Sequence, residues 1–324
     1  MPYIEENVPY RVPYQIYLDP TNLCNFKCHF CPTGNKKLLK SVSRPAGMMK
    51  FQLFEKFISD LSNMVKKYNQ KPDGIFLFKD GEPTLNPDLP RMIEFTSSKN
   101  LSDCVHITTN ASLMTPELSE KLINAGLNDI RFSVYGVDDI SYFANTKRKV
   151  DFDKIYKNIK EFWNINKSYG YPVKVHTKIM NIYSDNQIDE FKKKFNDISS
   201  EVFVEGFHKW SNSDKWKIEE KEHLIKKTKV DFICAQPFSR MTILFNGDVT
   251  PCCVDWSHDL VVANINDHSL DKIWNKMTNE LRRQHIHNDF SESSPCFDCD
   301  YVTKRTKYDR IYNKTGKLNK IYNC

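Results

Sequence analysis

QIYLDPTNLCNFKCHFC, residues 15–31, joins a short apolar strand pattern to three cysteines within eight positions. The run 15–20 reads as a strand that leads into the cysteine loop. The cysteines Cys24, Cys28 and Cys31 therefore sit on a loop at the C-terminal end of a first strand. Their gaps are unequal, in a CxxxCxxC pattern. Thiolates are soft ligands that select iron–sulfur clusters, zinc or copper(I). A structural zinc site wants a fourth Cys or His. His29 is adjacent, but it is held between Cys28 and Phe30 in the same tight loop, where folding back onto the shared ion is strained. Three thiolates fit three corners of a cubic 4Fe–4S cluster and leave the fourth iron open to an exogenous ligand.

Outward from this loop, strand and helix patterns alternate. Apolar strands at 74–78, 105–110, 129–136, 173–180 and 201–210 are separated by helical periodicities at 51–68, 88–99, 115–126, 151–168 and 186–197. Thr115, Pro116 and Gly126 mark the start and end of one of these helices. Repeated strand–helix units imply a parallel sheet. Six strands are too few for the closed eight-stranded barrel, so the expectation is a partial (β/α)6 TIM-like barrel. Past Trp210 the stretch 211–223 is polar and reads as a linker. It is followed by a hairpin signal at Asn246-Gly247, an amphipathic helix at 269–287 with Ser269 as its cap, and the CxxC of Cys296 and Cys299. The expected division is 1–215 for the barrel and 216–324 for a small C-terminal cysteine-rich domain and tail, poor in core and in need of a staple.

Composition narrows the classes. Net charge is +6 from 47 basic and 41 acidic residues, and the lysine runs at 36–40, 192–194 and 304–307 are scattered. A nucleic-acid binder concentrates such charge, so no nucleic-acid partner is expected. No stretch approaches the roughly 20 apolar residues of a membrane span, and the N-terminus lacks a signal-peptide run. The expected location is cytoplasmic, where ten cysteines argue for metal or catalysis over disulfides.

The motif CNFKCHFC, with Phe30 before its third cysteine, resembles that of the radical S-adenosylmethionine (SAM) superfamily. In that family the open iron chelates the methionine end of SAM, and the cleaved cofactor yields a 5′-deoxyadenosyl radical that abstracts hydrogen from substrate. DGEP at 80–83 resembles the family's GGEP motif, with Asp80 in place of the first glycine and Gly81, Glu82 and Pro83 retained. The resemblance implies that Glu82 holds the methionine ammonium. ITTN at 107–110 and FSVYG at 132–136 resemble further SAM-contacting strand ends, which assigns Thr109, Asn110 and Ser133. The adenine contact falls to Ile179 or Asn181, where the family's glycine pattern is missing.

The later stretches around Cys234, Cys252, Cys253, Cys296 and Cys299 resemble the SPASM/twitch extension of the same superfamily. By their residues alone they are equally compatible with zinc. The resemblance implies one auxiliary 4Fe–4S cluster on Cys234, Cys252, Cys296 and Cys299, with Cys253 as an alternative ligand, a packed thiol or a hydrogen-atom donor. Together with the SAM-binding cluster this makes two 4Fe–4S clusters, with SAM as the further cofactor. Cys104 reads as core and Cys324 as inert. Only 23 residues precede Cys24, too few for the peptide-recognition domain of peptide modifiers. The single fully ligated auxiliary site is similar to the inosamine dehydrogenase type. The expected function is hydrogen abstraction from a small sugar-like or aminocyclitol substrate, chiefly alcohol dehydrogenation. The alternatives are radical epimerisation with a cysteine donor, or peptide modification. Reduction by a flavodoxin or ferredoxin-type donor is implied. His208, Lys209 and Asp255 are candidate substrate or proton-transfer residues.

Overall fold

The computed structural model describes residues 8–42, 44–206, 233–291, 293–297, 299, 310–311 and 317–322. Among them run β1 (Gln15–Leu18), α1 (Lys36–Ser41), α2 (Phe51–Tyr68), β2 (Gly74–Leu77), α3 (Leu89–Ser98), β3 (Cys104–Thr109) and α4 (Pro116–Asn124). They continue with β4 (Asp129–Val134), α5 (Asp139–Thr146), α6 (Phe152–Ser168), β5 (Lys174–Met180), α7 (Asp185–Phe195) and β6 (Glu201–Glu205). β1 to β6 lie side by side in chain order, every pair parallel, as an unclosed α/β barrel wall. Alternation along the strands sets the faces. Ile130, Phe132 and Val134 are 0–1% exposed toward the helices, with Phe132 against Phe162 of α6. Asp129, Arg131 and Ser133 share the opposite, inner face of the same strand.

α1 and α5 are absent from the periodicity reading, and each has a physical reason. α1 buries only Leu38 and starts on Asn35, whose side chain accepts from the amides of Lys37 and Leu38. α5 leaves Ile140 and Phe143 exposed, so it shows no apolar stripe. Its start is a capping box in which Asp138 and Ser141 serve each other. The helix expected over 269–287 forms as Leu270–Lys272, a π-helical turn Ile273–Met277, and Asn279–His287, with Ser269 capping as anticipated.

The C-terminal part departs most from expectation. β8 (Arg240–Ile243) pairs in parallel with β1, and β9 (Asp248–Thr250) folds back on it through Gly247 at φ +92. β10 (Ala263–Asn264) extends the same sheet to nine strands. Phe238, Met241, Ile243, Val249, Leu270, Ile273 and Trp274 belong to the hydrophobic cluster that also fills the barrel. The region is thus not poor in core, because β8 borrows the barrel's edge strand and buries its apolar face there. The expected boundary at 215 lies outside the described residues, and the sheet runs on across it.

Candidate functional site

The first cysteine loop is fixed by hydrogen bonds from four elements. Lys27 and His29 amides donate to the carbonyls of Thr146 and Asn145 at 2.9 Å, the free carbonyls at the end of α5. Arg148 donates through Nε to the Asn25 carbonyl at 3.0 Å, and Asn110 through Nδ2 to Asn25 Oδ1 at 2.8 Å. The Glu82 amide donates to the Leu23 carbonyl at 2.8 Å. A side chain at Gly81 would meet the Thr21 and Leu23 carbonyls at 2.2 and 2.4 Å, so this close approach requires glycine. His29 turns its ring to Asn145, 3.1 Å away, rather than to the thiols.

Burial pushes Cys24 up to about 12, and Cys28 and Cys31 upward as well, with mutual repulsion among the three thiols adding to Cys24 and Cys28. Three thiols turned toward each other in a desolvated loop suit a cationic cluster that would hold them as thiolates. Among the described residues no three His, Cys, Asp or Glu side chains close on a single-ion position.

Glu82 is 3% exposed. Its Oε1 accepts from Thr84 N, Thr84 Oγ1 and Thr109 Oγ1 at 3.2, 2.7 and 2.6 Å, and its Oε2 from the Asn110 amide at 2.7 Å. Burial still raises its pKa against these donors. Oε2, with a single donor, keeps acceptor capacity for a cation such as an ammonium. Thr109 and Asn110 therefore position Glu82, and Pro83 starts the short turn that it caps. Phe30 lies 5.5 Å from the ring of Tyr135, and Ser133 is buried beside it on the inner face. Ile179 is corrected: it is 0% exposed in the core, paired with Val134, and faces the helices, so its side chain offers adenine no surface. Met180, next along β5, is half-buried on the other face.

Asp80 explains its departure from glycine. Its carboxylate pairs with Arg44 at 3.0 Å, Lys79 at 2.8 Å and His258 at 2.9 Å. Burial opposes its charge, but Lys79, His258 and Arg44 together hold it well below the usual carboxylate range. Arg44 also reaches the Trp256 carbonyl at 2.6 Å and Thr33 Oγ1 at 3.2 Å, so one guanidinium ties the cysteine loop, β2 and the C-terminal region. Sequence reasoning missed Arg44, His258 and the α5 clamp, because none lies in a motif. Asp19, fully buried beside this group, is raised to about 7, first by burial and then by Asp80.

The second cysteine set comes from three segments. Cys234 lies in β7 (Ile233–Cys234), paired with β11 (Arg310–Ile311), Cys252 and Cys253 follow β9, and Cys296 and Cys299 lie near the end of the described chain. Buried Val254 touches Cys234, Cys252, Cys253 and Cys299. Burial drives Cys252 well up, with Cys253, Asp255, Cys299 and Cys296 adding to it. The five thiols thus gather at one place. Cys253 donates through Sγ to Gln236 Oε1 at 3.4 Å, and Cys296 Sγ lies 3.7 Å from His285 Nε2. Asp255 is corrected as a proton-transfer candidate. It is 0% exposed, and its carboxylate accepts from Thr250 Oγ1 and the amides of Asp259 and Leu260 at 3.0–3.1 Å, which makes it a loop brace. His208 and Lys209 lie outside the described residues, as does Cys324. Cys104 opens β3, half-buried.

Inside the barrel, the inner face carries a row of charge. His106 Nδ1 sits 2.6 Å from Asp129 Oδ1, His176 Nε2 2.9 Å from Asp129 Oδ2, and His176 Nδ1 3.0 Å from Glu201. Lys178 pairs with Glu205. Tyr17 stacks on Phe76 at 4.7 Å, and Phe76 and Phe78 contact the His106 ring. A surface depression of about 340 Å³ lined by Trp163, Tyr171 and Lys174 lies at the other, N-terminal end of the strands, away from the thiols. Among the described residues no helix is long and apolar enough to cross a membrane.

The Radical SAM superfamily profile matches residues 18–195, and that of an iron-sulfur cluster-binding domain, SPASM, matches residues 234–300. A GTP 3′,8-cyclase of Clostridium botulinum is 28% identical over 174 residues, 53% of this chain and 49% of the cyclase. A dTDP-4-amino-4,6-dideoxy-D-glucose ammonia-lyase of Streptomyces venezuelae is 25% identical over 162 residues, 50% of this chain and 31% of the lyase. The chain thus spans half the length or less of these curated relatives. Among solved structures, BtrN in complex with AdoMet and 2-DOIA superposes with a TM-score of 0.56 at 18% identity, covering 92% of this chain and 97% of BtrN. Streptococcus suis SuiB bound to S-adenosylmethionine gives 0.65 at 17% identity, with 89% and 71% covered. At such identities the likeness is one of fold.

Proposed function

The chain belongs to the Radical SAM superfamily, with its SAM-binding 4Fe–4S cluster, and carries a C-terminal SPASM domain for auxiliary iron–sulfur ligation; from that premise we propose that it dehydrogenates a carbinol carbon of a small sugar-like or aminocyclitol substrate. The observation that carries this reading is the gathering of the later cysteines around Val254 and Cys252. Cys234, Cys252, Cys296 and Cys299 would hold every corner of an auxiliary cluster, which suits an electron acceptor and leaves no iron for substrate. When bound, the SAM and the first cluster supply a 5′-deoxyadenosyl radical that takes one hydrogen atom from the substrate. Cys24, Cys28 and Cys31 would hold that cluster, Glu82 Oε2 the SAM ammonium, and Gly81 the close backbone approach. The substrate's hydroxyl proton leaves to solvent or a base, and its second electron to the auxiliary site. The named relatives handle GTP and a dTDP-sugar, and BtrN was crystallised with 2-DOIA, all of which supports a small polar substrate. A cytoplasmic location and a flavodoxin or ferredoxin-type donor belong to the same proposal.

A second reading, epimerisation, rests on Cys253, whose thiol lies 3.4 Å from Gln236 Oε1 beside the ligand set. Anaerobic incubation with SAM, reductant and a panel of aminosugars and aminocyclitols separates them. Dehydrogenation gives a new carbonyl, and Cys253→Ala keeps turnover. Solvent deuterium at one carbon, lost in Cys253→Ala, establishes the epimerase. Modification of a peptide alone overturns both.

A further inference from the structure

Arg131 lies on the inner face of β4, two positions before Ser133 and so about 7 Å deeper in the barrel by strand rise. It aligns with Thr108 on one side and His176 on the other. Among the described residues its buried Nε has no hydrogen-bond partner and no carboxylate pairs with its guanidinium. The Phe203 ring lies 5.4 Å from the guanidinium carbon, and the His106 imidazole is near enough to feel its charge. The inner-face carboxylates in the same rows face other cationic partners. Asp129 has imidazole nitrogens 2.6 and 2.9 Å from its two oxygens, although Oδ1 makes no aligned hydrogen bond, and Glu205 pairs with Lys178.

A half-buried guanidinium without a counter-charge is costly, and charged side chains in protein interiors are ordinarily paired. Here the nearby carboxylates engage His106, His176 and Lys178, and the guanidinium shares the barrel's inner face with Ser133. The guanidinium's planar fork matches carboxylate and phosphate oxygens. We infer that Arg131 anchors an anionic group of the substrate, a phosphate or a carboxylate, inside the barrel. Phe203 holds the fork in plane, and the substrate's remaining length runs from Arg131 past Ser133 toward the thiol loop. This rests on the reading of a small polar substrate above and adds to it the substrate's charge.

The test uses anaerobically reconstituted holoenzyme with SAM, titrated calorimetrically with glucose 1-phosphate, glucuronate and glucose. The expected result is that an anionic probe binds and neutral glucose binds far more weakly. Arg131→Gln should then weaken the anion by roughly 10- to 100-fold, the worth of a charge-assisted contact. Arg131→Lys separates the two sources: a phosphate tolerates a point charge, whereas a carboxylate held by the fork loses most of its affinity. Iron content and SAM affinity in the same samples distinguish a lost anchor from a lost fold. If the wild type fails to bind SAM, the radical reading itself fails. If it binds SAM but takes glucose as well as the anions, takes neither anion at millimolar concentration, or keeps its anion affinity in Arg131→Gln, the anchor is overturned.

Discussion

Cys24, Cys28 and Cys31 occupy eight consecutive residues of one loop, whereas Cys234, Cys252, Cys253, Cys296 and Cys299 reach their common place from three separated segments. The first loop is braced by the barrel: the carbonyls at the end of α5, Asn110 and the Glu82 amide all hydrogen-bond to it. The second set has a sheet edge at one end, where β8 joins β1, but its Cys296 and Cys299 follow a stretch with little buried apolar surface. Contiguous ligands borrow their geometry from the barrel, and dispersed ligands depend on what they bind. Arg44 touches both halves, through Thr33, Asp80 and the Trp256 carbonyl, and it shares that tie with Lys79, which reaches the Asp255 carbonyl, and with His258, which reaches Asp80.

If the two sites differ in this way, breaking the second should cost most in stability. Cys296→Ala with Cys299→Ala should lower iron from about eight to about four per chain and the melting temperature by on the order of 10 °C, since ligation and folding are coupled there. Iron analysis and thermal melts check it, and full retention of iron would erase the contrast. Next comes the tie between the sites. Arg44→Met strips one of three cations from buried Asp80, leaving Lys79 and His258. It should cost about 1.5–3 kcal/mol by denaturant unfolding, the worth of a hydrogen bond to a charged group. Adding Asp80→Asn should cost less than the sum of the single changes, because the two share one network. Strict additivity would mean that Arg44 does not couple them.

The next effect is expected at Glu82, inside the first site. Glu82→Gln keeps the shape and removes a charge worth about 1.5–3 kcal/mol to an ammonium, so SAM affinity should fall roughly 10- to 100-fold with iron unchanged. Unaltered affinity would reduce Glu82 to a brace for Thr84 and Thr109. The smallest effect is electrostatic. Asp19 is raised to about 7 by burial and Asp80, against about 4 when unfolded. Between those pH values the folded chain keeps a proton that the unfolded chain has released, so stability falls as pH rises through the window. Asp19→Asn should remove that slope, and melts across the window that run parallel in both proteins would refute it.

Much of this was legible from residues 15–210. The alternating apolar strands, the Thr115 and Ser269 caps and the Asn246-Gly247 turn all appear where local chemistry demands them. Gly81 and Glu82 were legible because the motif is contiguous. What could not be read is what arrives through space. The α5 clamp has no apolar stripe to announce it, Arg44 lies in an unpatterned loop, and β8 joins the barrel only because β1 offers an unpaired edge. Ile179 was misassigned for a related reason: a one-residue change of position on a strand reverses its face, and no motif fixed the phase there. Arg131 was passed over inside FSVYG's strand, since its lack of a partner is a property of the assembled inner face.

The central claim is that the first loop alone binds SAM for cleavage while the second set serves another step. The most direct measurement is anaerobic formation of 5′-deoxyadenosine from SAM and dithionite, by reconstituted wild type, by Cys28→Ala, and by the Cys296→Ala, Cys299→Ala double variant. The account predicts cleavage by the wild type, none by Cys28→Ala, and cleavage retained by the double variant. Cleavage by Cys28→Ala equal to wild type, or its complete loss in a folded double variant that keeps the first cluster, would contradict it.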